Sequence, residues 1–181
     1  MLIQTTMWFL EMSSPDQLRP GRPPRKDVTV TLARAEIPNA EFSRFLYRAV
    51  GGDWYWVDRL GWSYQEWQQW AARVETWAAY VQGTPAGYFE LEPRADDNVH
   101  LALFGLLPWA IGQGLGGWLL TRAIERAWER GAQIVTVNTC SLDGPHALAN
   151  YQARGFTLTR MYTATCDLPE QTPGPWRTAS R

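Results

Sequence analysis

Cysteine is scarce in this chain: Cys140 and Cys166 are the two present among 181 residues. Neither stands in a CxxC or a Cys/His cluster and histidine also occurs twice, so no metal site is expected. Two cysteines make no disulfide framework, and a reduced, cytoplasmic protein is the expectation. Lysine is nearly absent, with Lys26 the single one against 16 Arg, a bias that carries no functional reading. Excess charge is missing too. The net charge of −1 gives no whole-chain field for nucleic acid or an anionic membrane, and neither is expected as a partner. No apolar run approaches the roughly 18 residues of a membrane span. The opening MLIQTTMWFLEM has no basic region and contains Glu11, which makes it a poor signal peptide.

What remains is ordinary globular material, 45% hydrophobic and 19% charged, enough for one domain with a sizeable core. Eleven Trp is a high count, and part of that surface is expected to line a pocket. Residues 1–26 read as an extension: Ile3–Met12 as a short strand laid on an edge, then Ser13–Lys26 with four Pro as an extended connector. The domain itself is expected over 27–168, with a loose tail from Pro169.

Within the domain, Val28–Ala33 alternates like a strand. Asn39–Val50 reads as a helix whose stripe is Phe42, Phe45, Leu46 and Ala49. Ser63 and Glu66 form a capping box for a helix through about Arg73. Thr76–Gln82, Ala86–Glu92 and Val99–Leu107 read as an antiparallel meander. Gly116–Arg130 is helical, with Leu119, Leu120, Ala123, Ala127 and Trp128 inward and Gly131 closing it. Gln133–Thr139 is a strand, Asp143–Arg154 a helix capped by Asp143, and Phe156–Cys166 a last strand. The order implies an α/β fold: a mixed, mostly antiparallel sheet of six or seven strands with helices on both faces.

The strongest chemical signal lies between a strand and the longest helix: Ile111-Gly112-Gln113-Gly114-Leu115-Gly116-Gly117. Glycines let the backbone turn sharply and let a ligand reach its N–H groups. The first helical N–H groups have no internal partner and carry partial positive charge, which suits a pyrophosphate. A Walker A loop would need Gly-Lys-Ser/Thr, and no Lys is here. A dinucleotide fingerprint would need an acidic residue at the end of the next strand, which instead ends in Asn138-Thr139.

These residues resemble the GNAT superfamily of acyl-CoA N-acyltransferases. The family's pyrophosphate motif, Gln/Arg-x-x-Gly-x-Gly/Ala, is filled at Gly114 and Gly116, while Ile111 stands where Gln or Arg is usual. A second segment, Ala147-Leu148-Ala149-Asn150-Tyr151-Gln152-Ala153-Arg154-Gly155-Phe156, is similar to the family's Ala-x-x-x-Tyr-x-x-x-Gly-Phe. The resemblance covers about residues 86–162 clearly and 28–85 weakly. It implies acetyl-CoA as co-substrate, no metal, and direct attack of an amine on the thioester. It also implies that the strand before the glycine loop splays from its neighbour, with Phe104 and Leu106 as backbone partners of pantetheine. Ile111–Gly117 would hold the pyrophosphate, with Asn150 beside it. Tyr151 matches the tyrosine that protonates the departing thiolate.

The proton acceptor is open between two residues. Alternation puts His100, Ala102, Phe104 and Leu106 on one face, with His100 suited to take a proton near neutral pH. Glu90 on the preceding strand competes, and Glu92 shares its face. For the acceptor, the segment Asp53–Trp62 offers Trp54, Trp56 and Asp58 to a cationic amine with an apolar body. A small-molecule amine is the expected acceptor, a peptide or protein amine the alternative. A non-catalytic CoA-binding regulatory domain would keep the glycine loop without needing Tyr151, and a Trp-based interaction module would bind no CoA. A second subunit, giving a homodimer, is within reach of residues 1–26.

Overall fold

The computed structural model describes residues 1–174. In chain order it contains β1 (Leu2–Met12), β2 (Val30–Arg34), α1 (Ala40–Gly51), α2 (Tyr64–Arg73), β3 (Glu75–Val81), β4 (Thr84–Pro93) and β5 (Val99–Leu106). It continues with α3 (Leu115–Glu129), β6 (Val135–Cys140), α4 (Ala147–Ala153) and β7 (Thr157–Asp167). One seven-stranded sheet results, ordered β2-β3-β4-β5-β6-β1-β7. Every neighbouring pair is antiparallel except β5 and β6, which run parallel. The mixed α/β sheet with helices on its faces is the fold the sequence implies.

The first strand is where expectation and structure part. Instead of capping an edge, β1 lies inside the sheet, pairing with β6 through Met7–Met12 and with β7 along most of its length. Its composition suits that position. Trp8, Leu10 and Met12 join the main core on one face, while Phe9 stacks on Tyr162 of β7 on the other. A strand apolar on both faces belongs between two neighbours. The tail expected from Pro169 lies partly outside the described residues.

Local signals explain most helix ends. Ser63 and Glu66 form the capping box at the start of α2, each bonding the other's backbone N–H. Asn39 caps α1 by accepting from Phe42 N at 2.7 Å. The buried face of α1 is rotated from the expected stripe: Ser43, Leu46, Tyr47 and Val50 are inward, while Phe45 is exposed. Ser43 turns inward because Glu90 awaits its hydroxyl across the sheet. The helix expected from Asp143 starts only at Ala147, and Asp143 caps nothing. Its carboxylate instead accepts from Thr139 Oγ1 at 2.6 Å, Cys140 N at 3.0 Å and Trp56 Nε1 at 3.3 Å.

The connector after β1 is a strap across α3 and α4. Ser14 and Gln17 close a single 3-10 turn at its start. Arg19 N donates to Arg154 O at 3.0 Å and Arg154 Nε returns a bond to Arg19 O at 2.8 Å. Gly21 N then donates to Thr121 Oγ1 at 2.8 Å. At this crossing Gly21 meets Gly117, and a Cβ on Gly21 would lie 2.4 Å from the Gly117 carbonyl. Two chains can cross so closely only where side chains are missing.

On the α3 side of the sheet, Leu119, Leu120, Ala123, Ile124 and Ala127 pack on Phe89, Leu91, Leu101, Val135 and Val137. Near the far end of α3 the buried carboxylate of Glu75 receives Arg126, Arg130 and the Trp77 indole. Burial alone would raise its pKa; the bonds from Arg126, Trp77 and Arg130 outweigh that and hold it at about 2. Its folded pKa lies below the ordinary 4.5, so its contribution is full above pH 4.5 and is lost as pH falls through 2. We expect Glu75→Gln to cost about 2 kcal/mol at neutral pH, since it removes the charge that Arg126 and Arg130 share and leaves Arg126 with Glu129 alone. Urea unfolding of both proteins at neutral pH and near pH 3 checks it: the deficit should shrink at the acid end.

Candidate active site

The site starts from a defect in the sheet. Strands β5 and β6 share only three pairs, Val99–Leu101 with Val135–Val137. Beyond them β5 stays paired to β4 as far as Leu106, while β6 continues along β1. A wedge-shaped gap opens between the two. Leu107 N donates to Ala86 O at 2.8 Å, which turns that residue's backbone toward β4. By strand alternation the N–H and C=O groups of Phe104 and Leu106 turn the other way, into the gap.

A bulge in β5 changes what faces what. Glu90 pairs with Leu103 and Leu91 with Leu101, so Ala102 is the extra residue. The expected alternation of His100, Ala102, Phe104 and Leu106 on one face therefore fails. Leu103 packs with Tyr47 and Trp67 beneath α1 and α2. Phe104 and Leu106 pack against the core on the α3 side. Leu101, Phe104 and Leu106 thus share one face although strict alternation would separate Leu101 from the other two.

At the end of β5 the chain makes a short 3-10 turn at Pro108–Ala110 and enters the glycine segment. Gly112 and Gly114 have φ of +83° and +78°, left-handed conformations in which side chains are strained. A Cβ at either would meet nothing within 4 Å, so the space in front of them is open. Gly114 is the N-cap of α3 and offers no side chain to the first-turn N–H groups. The helix thus presents uncapped donors and its positive end to an open cradle, which fits a phosphate. Ile111 is exposed, and Gln113 turns back to bond Trp109 O at 2.7 Å. Leu115 is buried against Ala110 and Ala86, fixing the first turn of α3. Asn150 donates to Gly116 O at 3.4 Å and accepts from Arg154, tying α4 to this turn.

A cavity of about 1440 Å³ runs from this cradle through the gap to the loop after α1. It is large enough for a nucleotide-bearing ligand and a second small molecule. Tyr151 lines it, edge-on to Phe104 and Phe156 at 6.0 Å each. Burial drives the Tyr151 phenol far above its ordinary pKa and the nearby Asp143 adds to the shift, so the hydroxyl keeps its proton.

The two candidate proton acceptors differ sharply in placement. His100 is 7% exposed and lines the cavity, with Nδ1 at 2.9 Å from Thr136 Oγ1. Burial, helped by Arg94, lowers its pKa to about 4 and keeps the ring neutral. Glu90 is fully buried and does not line the cavity. Its carboxylate accepts from Trp70 Nε1 at 2.5 Å, Ser43 Oγ at 3.0 Å and Thr76 Oγ1 at 3.4 Å. Burial raises its pKa despite these bonds and the nearby Arg59.

Trp54, Trp56 and Asp58 all line the cavity. Trp56 also serves the structure, packing on Tyr47 and Tyr88 and donating to Asp143. Burial, with Asp143 close by, raises Cys140 to about 11, as expected of a structural cysteine. Two groups escaped the sequence reading. Asp143 ties the end of β6 to the aromatic loop, but its position after a strand resembled a helix cap. Arg59 enters the cavity wall with its guanidinium 3.7 Å from the Trp70 ring centroid. Its signal in the sequence is a single Arg among the aromatics of Asp53–Trp62.

Among the described residues no group of His, Cys, Asp and Glu is arranged to hold a metal, and no helix is long and apolar enough to cross a membrane. No curated protein matches the chain. Solved structures share its fold at low identity. A GCN5-related N-acetyltransferase from Kribbella flavida is 20% identical, with a TM-score of 0.62 over 97% of this chain and 62% of that one. A GCN5-related N-acetyltransferase from Sphaerobacter thermophilus is 14% identical, with a TM-score of 0.64 over 97% of this chain and 55% of that one. The chain therefore spans little more than half the length of these two proteins. A Bacillus subtilis acetyltransferase in complex with CoA is 20% identical, with a TM-score of 0.58 over 73% of this chain and 79% of that one. The acetyltransferase (GNAT) family model matches residues 42–156, running unbroken from α1 through the glycine turn to Phe156. That match takes in more than half of the sequence, and the chain belongs to the GNAT acetyltransferase family.

Proposed function

We propose that the protein moves an acetyl group from acetyl-CoA to the primary amine of a small molecule. The observation that carries this reading is the union of three features in one cavity: the uncapped glycine cradle, the gap beside β5 and the Tyr151 hydroxyl. The cradle at Gly112–Gly117 would hold the pyrophosphate through backbone N–H groups. Phe104 and Leu106 would pair with the pantetheine amides as an added strand would. A backbone N–H of β5 would polarise the thioester carbonyl as charge builds on its oxygen. Ile111 contributes no polar side chain, so backbone donors carry the phosphate contact.

The acetyl group itself comes from the thioester. His100 takes the proton from the attacking amine, and Tyr151 gives its proton to the departing sulfur. Glu90, with three donors and no exposure, holds Trp70 in place rather than meeting the amine. Trp54, Trp56 and Asp58 form the acceptor wall. The aromatic lining of that wall favours a small acceptor over a peptide.

Calorimetric titration with acetyl-CoA tests the first claim. Wild type should bind in the micromolar range, and Gly114→Asp/Gly116→Asp about 100-fold more weakly, because carboxylates would stand where phosphate charge must sit. Equal binding by the two proteins defeats the cradle assignment. Tyr151→Phe should keep acetyl-CoA affinity and lower kcat about 100-fold in a thiol-release assay; unchanged turnover removes Tyr151 from the chemistry.

His100 makes a third, pH-dependent expectation. Its folded pKa is about 4 against an ordinary 6.5, so the unfolded chain takes up its proton first as the solution is acidified. The stability it contributes is full above pH 6.5 and is lost as pH falls through 4. His100→Gln should flatten that part of the stability–pH curve and lower turnover at neutral pH. A variant with the wild-type pH–rate profile would show that the proton goes elsewhere.

A further inference from the structure

The acceptor end of the cavity holds a cation without a hydrogen-bond acceptor among the described residues. Arg59 lines the cavity wall, its side chain 16% exposed. The guanidinium is pinned by aromatic rings, at 3.7 Å from the Trp70 centroid, 4.9 Å from Trp62 and 5.9 Å from Tyr47. Nη1 is buried and has no hydrogen-bond partner. The nearest carboxylate is Glu90, with Oε2 3.9 Å from Nη1, beyond hydrogen-bond reach. Glu90 is already served by Trp70, Ser43 and Thr76. No described residue receives a hydrogen bond from this guanidinium.

A guanidinium packed over an indole is limited in its motion, and its planar fork of N–H donors matches a carboxylate. Nη1 is closed off on the Glu90 side, so a ligand anion would meet the part of the side chain that reaches the cavity, which no described residue bonds. Arg73 and Arg94 also line this cavity and share the single Glu92 carboxylate at 3.1 and 3.0 Å. Both are thus occupied by Glu92, whereas the Arg59 guanidinium has no acceptor within hydrogen-bond distance among the described residues. Leu103 of β5 packs on the same aromatic cluster around Tyr47 and Trp67, as Trp62 does. An acceptor held at Arg59 therefore lies against the strand whose next residue, Phe104, opens into the gap.

We infer that the acceptor is an amine that also carries a carboxylate, an amino acid with an apolar or aromatic body, and that Arg59 holds its carboxylate while Trp62 and Trp70 shape the pocket. This inference rests on the acetyl-transfer reading above and specifies its acceptor. In the reaction the amine nitrogen forms a bond to the acetyl carbon and the carbon–sulfur bond breaks. The amine proton leaves to the base and the sulfur departs as the CoA thiol. The carboxylate is unchanged and emerges on the N-acetyl amino acid.

The test is thiol release from acetyl-CoA with matched acceptors: L-phenylalanine, L-tryptophan and L-methionine, each against its own carboxamide. The free carboxylates should be used with at least about tenfold higher kcat/KM, the expected worth of a charge-assisted bond. Arg59→Met should erase that preference by raising KM for the carboxylates, and Arg59→Lys should keep a fraction of it. Affinity for acetyl-CoA, followed by calorimetry, should be unaffected in both. Should Arg59→Met fail to fold, the wild-type preference and Arg59→Lys still decide the matter. Carboxamides used as well as the acids overturn the inference, as does a failure to use any of the acids by protein that binds acetyl-CoA; the transferase reading survives both. Absence of acetyl-CoA binding overturns both readings together.

Discussion

The parallel ladder between β5 and β6 stops after three residue pairs, and the site exists because it stops there. Each strand has a stronger partner on its other side. Strand β5 is held by β4 to Leu106, and β6 is held by β1 to Cys140. The end of β6 is fastened further by Asp143, which bonds Thr139, Cys140 and Trp56 at once. Neither strand is free to close the gap, so backbone groups of β5 remain available to an extended ligand. The glycine turn follows directly on the same strand. A long, bent ligand with phosphates at one end and amides in the middle therefore meets matching features in the order it needs them.

The bulge at Ala102 is the second device, because it resets which residues of β5 face each chamber. Phe104 and Leu106 face the α3 side, where Tyr151 meets Phe104 edge-on. Leu103 faces the α1–α2 side, where the Trp and Tyr side chains gather. Without the extra residue, strict alternation would keep Phe104 and Leu106 on the face of His100; the bulge moves them to the face of Leu101. Glu90 sits behind Leu103 as a buried post for this second chamber, holding Trp70 and Ser43. The strap over residues 13–26 plays the matching part for the first chamber. It crosses α3 at Gly117 and grips Arg154 at the end of α4. The helix that opens at the glycine turn is thereby clamped to the helix that carries Tyr151.

Much of this was legible residue by residue. The capping box of Ser63 and Glu66, the glycine turn and the length of α3 follow from local chemistry that acts within a few residues. The interior place of β1 was not legible, because an apolar strand at one end of the chain fits an edge or a slot equally well until its neighbours are known. Strand β1 found its slot between two strands more than a hundred residues away. The buried face of α1 was misjudged by about one residue, since Ser43 faces inward for Glu90, a partner invisible in the helix's own pattern. Asp143 reads as a cap in sequence and acts as a tie in space.

The sequence by itself determined the elements, the phosphate-shaped turn and the tyrosine segment, because helix caps, strand alternation and left-handed glycines are set by neighbours along the chain. The tertiary structure decided which groups share the cavity. It sealed Glu90 away, left His100 on the wall, shifted β5 by one residue at Ala102 and stacked Arg59 on Trp70. Those outcomes depend on strand pairing and burial between distant residues, and a bulge or a stacked guanidinium leaves no periodic trace in the sequence.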